Sequence, residues 1–269
     1  MKITIRTAAQ GLVLALALSL VAGTSPLTGQ EDYRLEGGRV AIFNLAGQAE
    51  IVAGSGSAVQ VQLLRGGEDA GSLQVETVRV DGAEALVVRY PDDRIIYPEM
   101  GRRSNTTIRV RSDGTFFSGG SGSRNDEVRI SGSGRGLEAW ADLRISVPRG
   151  QEFALYLAVG ETTMDGVEGD VLIDTGSGAV GVRGGGGSVN VDTGSGEVTV
   201  EQFQGDVVVD TGSGGVELRG IEGTEVDVDT GSGGVSGSDI TASRSFMVDT
   251  GSGGVEFTGI TSPDIYVDT

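Results

Sequence analysis

The C-terminal half of the chain alternates apolar and polar residues in short runs that recur at a regular interval. Asp-Thr appears every 18 to 20 residues, and the first five copies continue as Asp-Thr-Gly-Ser-Gly. The residues one and three positions before each Asp are apolar, whereas the residue between them varies freely. Alternation with a period of two is typical of a strand with one buried face. The copies begin at Asp174, Asp192, Asp210, Asp229, Asp249 and Asp268.

Each repeat contains a second alternating run after its Gly-Ser-Gly corner. In the copy at Asp192, Val198 and Val200 are the apolar members of this run. Neither strand can bury its apolar face alone, so successive repeats must stack about 4.8 Å apart to give every strand a hydrogen-bonded neighbour. The pattern predicts an all-β fold, a stacked β-solenoid of 18–20-residue repeats. Its inward columns should contain Val191, Val209, Val228 and Val248.

The chain divides into three parts on this pattern. Residues 153–269 are the predicted solenoid, which includes one turn without the motif, where Tyr156 occupies the Asp position. Residues 31–152 form a strand-rich N-terminal region, since short alternating runs there are separated by Gly, Asp or Pro turns. The run "FFSGGSGSRND", from Phe116 to Asp126, is predicted to be a loop.

The first 30 residues have the pattern of an export signal. Lys2 and Arg6 precede an apolar run from Gly11 to Gly23, and small and polar residues follow. The apolar run is shorter than the roughly 20 residues that a membrane-spanning helix needs. We expect cleavage between residues 23 and 30, and an exported protein that is periplasmic, on the cell surface or secreted, with no transmembrane segment after the signal is removed.

Composition removes many kinds of chemistry. The sequence contains no Cys and no His, and Lys2 is its only lysine. These absences exclude Ser-His-Asp and Cys-His catalysis, histidine-bound zinc and lysine Schiff bases. The formal net charge is −18, and only three arginines follow residue 152. Such a surface repels nucleic acid and favours cations or basic partners. We expect the partner to be an envelope polymer or a surface protein.

Asp-Thr-Gly-Ser also surrounds the catalytic aspartate of pepsin-like proteases. Their active site needs two aspartates from two lobes that share one water. Here the aspartates should be neighbours in one outward column, so we predict corner residues, with Gly at positive φ and Asp accepting hydrogen bonds in Asx turns. We predict no enzyme, no catalytic residue and no cofactor.

Two alternatives remain open. Carboxylates in a column could bind calcium, and Asp174, Asp192, Asp210, Asp229 and Asp249 are then the candidate ligands. The protein would in that case be a calcium-dependent surface module. The other alternative is a β-helix enzyme that acts on polysaccharides, although three arginines and a uniform Asp column offer no distinct catalytic constellation.

Three stretches resemble a known family. They are "RVAIFNLAGQAEIVAG", "ADLRISVPRGQEFALYLAVGETTMDGVEGDVLIDTGSG" and the repeats themselves, within residues 38 to 269. Together they resemble the bacterial exported β-strand-repeat domain of unknown function that is often labelled "putative adhesin". The resemblance implies an exported repeat protein whose adhesin label is an inference from shape, and it assigns no catalytic or binding residue. Our leading interpretation of the function is a non-enzymatic adhesin, scaffold or ligand-display module of the cell envelope.

The sequence ends in phase with the repeat. "IYVDT" stops where every earlier copy continues with Gly-Ser-Gly, and no polar cap follows. A bare last strand exposes unpaired N–H and C=O groups. We therefore expect either that the natural protein continues past Thr269 or that its last strand pairs end to end with another molecule.

Overall fold

The computed structural model describes residues 30–117 and 125–269. The predicted signal, apart from Gln30, and most of the loop predicted between Phe116 and Asp126 lie outside these ranges. Within them the chain forms strands and two single 3-10 turns, Ala70–Ser72 and Pro98–Met100. None of the described segments is a helix of the length and apolarity that crossing a membrane requires. The all-β prediction is confirmed.

The strands alternate with short turns along the whole described chain. Those before residue 150 are β1 (Gln30–Leu35), β2 (Arg39–Ala46), β3 (Ala49–Gly54), β4 (Val59–Gly66), β5 (Gln74–Val80), β6 (Ala83–Arg89), β7 (Arg94–Ile96), β8 (Asn105–Arg111), β9 (Asn125–Ser131), β10 (Leu137–Glu138) and β11 (Trp140–Pro148). Those after it are β12 (Gln151–Val159), β13 (Thr162–Asp165), β14 (Glu168–Ser177), β15 (Val180–Arg183), β16 (Gly186–Thr193), β17 (Val198–Glu201), β18 (Gln204–Thr211), β19 (Val216–Thr230), β20 (Val235–Thr250), β21 (Val255–Thr261) and β22 (Ile265–Asp268).

Two parallel ladders build the solenoid. The first ladder contains the strand before each Asp-Thr pair: β12, β14, β16, β18, the second halves of β19 and β20, and β22. The second ladder contains β13, β15, β17, the first halves of β19 and β20, and β21. Equivalent residues of successive repeats are paired, so that Asp192 lies between Asp174 and Asp210. The stacked β-solenoid is thus confirmed.

Both ladders continue into the N-terminal half. In the first ladder β2 pairs with β12, which places Val40 beside Phe153, and β6 and then β5 extend that edge. In the second ladder β3 pairs with both β13 and β11, and β4 and β1 follow. The stack of parallel strands therefore extends past Phe153 to Arg39. The division into regions 31–152 and 153–269 stays a prediction.

A smaller sheet lies beside the N-terminal end of the first ladder. Its order is β10, β7, β9 and β8, of which only β8 and β9 are antiparallel neighbours. Its apolar side, with Ile95 and Ile130, joins Phe43 and Phe116 in a second apolar cluster. This cluster anchors the small sheet against the outward side of β2.

The main core is built from the inward columns of both ladders. The predicted columns are confirmed, since Val191, Val209, Val228 and Val248 are all buried. A missing side chain in one repeat is compensated by a larger one in the next. At the inward position Gly237, an added Cβ would lie 2.9 Å from the ring of Phe257, so this ring fills the space that the glycine leaves.

Candidate ligand-binding face

The outward side of the first ladder carries the predicted column of aspartates. Val209 and Thr211 are buried, so the strand alternation turns Asp210 between them outward. The same holds in the first five copies, whose threonines are all buried: Thr175, Thr193, Thr211, Thr230 and Thr250. We call the outward carboxylates from Asp174 to Asp268 the Asp column. Its members are paired residue by residue through the ladder.

The glycines of the motif are required by the close stacking of the repeats. A Cβ on Gly214, the second glycine of its repeat, would lie 1.9 Å from the carbonyl oxygen of Gly196 in the preceding repeat. At the first glycine, Gly212, it would lie 2.8 Å from the carbonyl oxygen of Gly194. Both distances are shorter than a side chain tolerates. The motif is thus a condition for stacking, which fits the predicted corner role.

The expected Asx turns are absent at the column in the described residues, and this part of the prediction is wrong. The N–H group two residues after Asp210 belongs to Gly212, and it donates to the carbonyl oxygen of Thr193 at 3.0 Å. Equivalent bonds join Gly194 to Thr175 and Gly231 to Thr211 at 3.0 Å. Because the ladder uses these N–H groups, the Asp carboxylates remain available to solvent and to ligands.

Burial and mutual repulsion perturb the column at its N-terminal end. Desolvation, reinforced by the neighbouring Asp192 carboxylate, raises the pKa of Asp174 to about 7. Desolvation and then Asp210 raise the pKa of Asp192. A raised carboxyl pKa means that the charged form is disfavoured in the folded protein. A cation placed over this end of the column would relieve that cost.

Aromatic rings continue the column toward the N-terminus. Tyr156 lies beside Asp174, as the sequence predicted, and its ring stacks on Phe43 with centroids 4.5 Å apart and planes at 5°. Burial and then the Asp174 charge raise the pKa of Tyr156. The outward face therefore changes from acidic to aromatic at this position.

The arginines of the solenoid do not neutralise the Asp column, because each is paired elsewhere. In the second ladder Arg183 and Arg219 lie 3.3 and 3.2 Å from the two carboxylate oxygens of Glu201. Arg244 is paired with Glu225. These three arginines therefore do not pair with the carboxylates of the column.

In the described residues the Asp column does not bring together the three or more ligand side chains that a metal site usually contains. Over residues 30–117 and 125–269, no group of three or more His, Cys, Asp or Glu side chains could hold a metal ion. Calcium takes six to eight oxygen ligands, and each repeat contributes one column carboxylate. The assignment of Asp174, Asp192, Asp210, Asp229 and Asp249 as calcium ligands stays a prediction.

The sequence did not reveal a groove beside the column. Its floor contains Ala41, Ala154 and Leu172, and the turn between β5 and β6, at Asp81, forms one edge. Ala41 and Asp81 are distant in the sequence from Ala154 and Leu172, so no local pattern joins these residues. The one available signal was that small residues occupy outward positions, as Ala154 does in β12.

Comparison with known proteins places this fold in a family. A family model described as Toastrack DUF4097 matches residues 109–269. The chain belongs to the Toastrack DUF4097 family. The matched range runs from β8 to β22, so the Toastrack region includes the whole Asp column. The predicted family resemblance is confirmed.

Two solved structures are similar to this Toastrack protein at low identity. One is a "putative cell adhesion protein" from Clostridium sporogenes, with 9% identity, coverage of 89% of this chain and 99% of that chain, and a TM-score of 0.25. The other is a "putative adhesin" from Parabacteroides merdae, with 4% identity, coverage of 89% and 96%, and a TM-score of 0.26. No curated protein matches the chain.

Proposed function

We propose that this protein is a non-enzymatic, exported β-solenoid that acts as an adhesin, scaffold or ligand-display module of the cell envelope. The observation that carries the proposal is the Asp column, which presents the same outward group in successive repeats. A partner that is itself extended or repetitive can contact several repeats at once. Each added contact then forms at a high effective concentration, so weak individual contacts give firm attachment.

Composition and placement both support a binding role. The sequence has no His or Cys and no lysine after Lys2, so the acid-base and nucleophilic chemistry that depends on these three residue types is missing. The motif aspartates lie in one outward column, whereas a pepsin-like site needs carboxylates from two lobes. Export is supported by the basic and apolar pattern before Gly23.

The proposal is tested by capture of envelope polymers and surface proteins on the immobilised mature protein. A triple variant of the column, Asp192→Asn, Asp210→Asn and Asp229→Asn, should lose most of the captured material. The control, Glu161→Gln, Glu197→Gln and Glu256→Gln, removes three exposed charges away from the column and should retain it. Equal retention by both variants would reject the Asp column as the binding face.

A calcium-dependent surface module is the second candidate. The observation that favours it is the repulsion between Asp174 and Asp192, which contributes to the raised pKa of Asp174. A divalent cation that bridges neighbouring carboxylates would remove this repulsion. Capture that disappears on chelation of calcium and returns on its addition would support this candidate.

A further inference from the structure

The groove beside the Asp column has the shape of a site for one long side chain. Its floor consists of Ala41 in β2, Ala154 in β12 and Leu172 in β14, which are direct neighbours across the ladder. The rings of Phe43 and Tyr156, in the adjacent outward column, form a wall. The groove encloses about 260 Å³. Small-molecule sites usually occupy about 300–1,000 Å³, so this groove suits a side chain rather than a whole cofactor.

The edges of the groove are acidic. Arg39, its one cation, is 2.7 Å from Glu152, so these two charges cancel. Asp81 and Asp170 also line the groove, and within the described ranges neither carboxylate has an ion pair or a hydrogen bond. The net charge at the edges is negative, which disfavours phosphate or carboxylate ligands and favours a cation.

We propose that this groove binds a lysine side chain from an extended basic segment of a partner protein. The four methylene groups of lysine would lie on the alanine and leucine floor, and the ammonium group would reach the carboxylates of Asp81 and Asp170. Long basic side chains commonly bury their stem on apolar surface while the charged end stays near water. The inference rests on the proposed function and adds the class of the partner.

The course of the groove explains why the partner segment is extended. The Asp column begins at its wall, since Asp174 follows Tyr156 and Asp192 follows Asp174 at the spacing of the ladder. Further basic residues of the same segment would meet these carboxylates one after another. Residues 30–269 contain no lysine, so this range of a second copy does not supply the lysine.

The test is a titration followed by the methyl resonances of Ala41 and Ala154. The probe is an acetylated and amidated Gly-Lys-Gly peptide, and the matched probe carries norleucine, which has the same stem without the ammonium group. We expect both methyl signals to shift with the lysine peptide and to shift much less with the norleucine peptide. The double variant Asp81→Asn, Asp170→Asn should raise the Kd about two- to thirtyfold, the range expected for two exposed ion pairs.

A variant of equal charge separates the groove from general attraction by an acidic protein. Glu222→Gln with Glu256→Gln removes two exposed charges that lie outside both the groove and the Asp column and should leave the Kd nearly unchanged, since screening is strong beyond about 10 Å. Asn is also compatible with the positive φ of Asp81, which is 48°, so the turn between β5 and β6 is kept.

Three results would overturn the inference. The first is that the norleucine peptide shifts the two alanine methyl signals as much as the lysine peptide does. The second is that both double variants lose the same affinity for the lysine peptide. The third is that the two methyl signals shift with protein concentration alone, which would indicate a second copy as the occupant. The Asp81→Asn, Asp170→Asn variant also separates the two hypotheses. If this variant does not bind the lysine peptide but still captures envelope material, the result concerns the lysine site and leaves the proposed function unchanged. If the wild-type protein captures envelope material but does not bind the lysine peptide, the inference of a lysine site is rejected and the proposed function is kept.

Discussion

The substitution Gly214→Ala examines whether the repeats are held at a spacing that excludes side chains at the corner. The alanine Cβ would lie 1.9 Å from the carbonyl oxygen of Gly196. Its neighbour Gly215 is the matched control, because a Cβ there meets only the carbonyl oxygen of Gly234, at 3.6 Å. The two variants add the same methyl group to adjacent residues of one turn, and only one of them should disturb the stacking.

The expected magnitude follows from the ladder around the corner. Cβ atoms essentially never approach closer than 3.0 Å, so the repeats must separate locally by about 3.0 − 1.9 = 1.1 Å. Bonds of 2.9–3.1 Å stretched by that amount exceed 3.5 Å and are lost. Each is worth about 0.5–1.5 kcal/mol, so we expect about 1.5–4.5 kcal/mol of destabilisation. The three bonds at risk are Gly212 N–H to Thr193, Gly196 N–H to Ser213 and Val198 N–H to Gly215.

Urea titration followed by circular dichroism measures the free energy of unfolding of both variants. Gly215→Ala should change it by less than about 1 kcal/mol in either direction. The pair Gly233→Ala and Gly234→Ala repeats the comparison one turn further along, where the Cβ distances to the nearest oxygen are 1.8 and 3.5 Å. If Gly214→Ala is as stable as Gly215→Ala, the repeats are not stacked at this distance and the explanation of the glycines is wrong.

Three further predictions concern the strand and the Asp column. Val209→Asp places a charge in the core and should cost several kcal/mol in a urea titration, whereas Val208→Asp, on the outward side, should be tolerated; equal losses would contradict the inward assignment. The pKa of Asp174 rises from 3.8 to about 7 on folding, so its contribution to stability is largest below pH 4 and is lost as pH rises through 7. The melting temperature should therefore fall less between pH 5 and pH 8 in Asp174→Asn than in wild type. The difference should be equivalent to about 1–2 kcal/mol after allowance for solvent screening, and an unchanged slope would refute this. Millimolar calcium should raise the melting temperature and Asp210→Asn should reduce the increase, whereas no shift with calcium would leave the column without a metal role.

Much of the solenoid could be predicted from the repeat alone. The period fixes which residues are equivalent, and the alternation of Val209 and Thr211 with Asp210 fixes which of them point inward. Because the repeats are alike, they bury their apolar faces best when equivalent residues stack in register. The position of Tyr156 beside Asp174 could therefore be predicted from the sequence. Local hydrogen bonding was less predictable, because the N–H group of Gly212 could serve either an Asx turn or the ladder.

The sequence by itself determined the all-β class, the stacking of the repeats and the outward column of carboxylates, because each follows from a pattern that neighbouring residues repeat. Only the tertiary structure decided that β2 continues the first ladder beside β12, that Arg39 is paired with Glu152, and that a groove opens between them and Asp81. The physical reason is that these contacts join segments far apart in the chain. Their pairing is selected by the burial of whole apolar faces, which the residues of one segment do not encode alone.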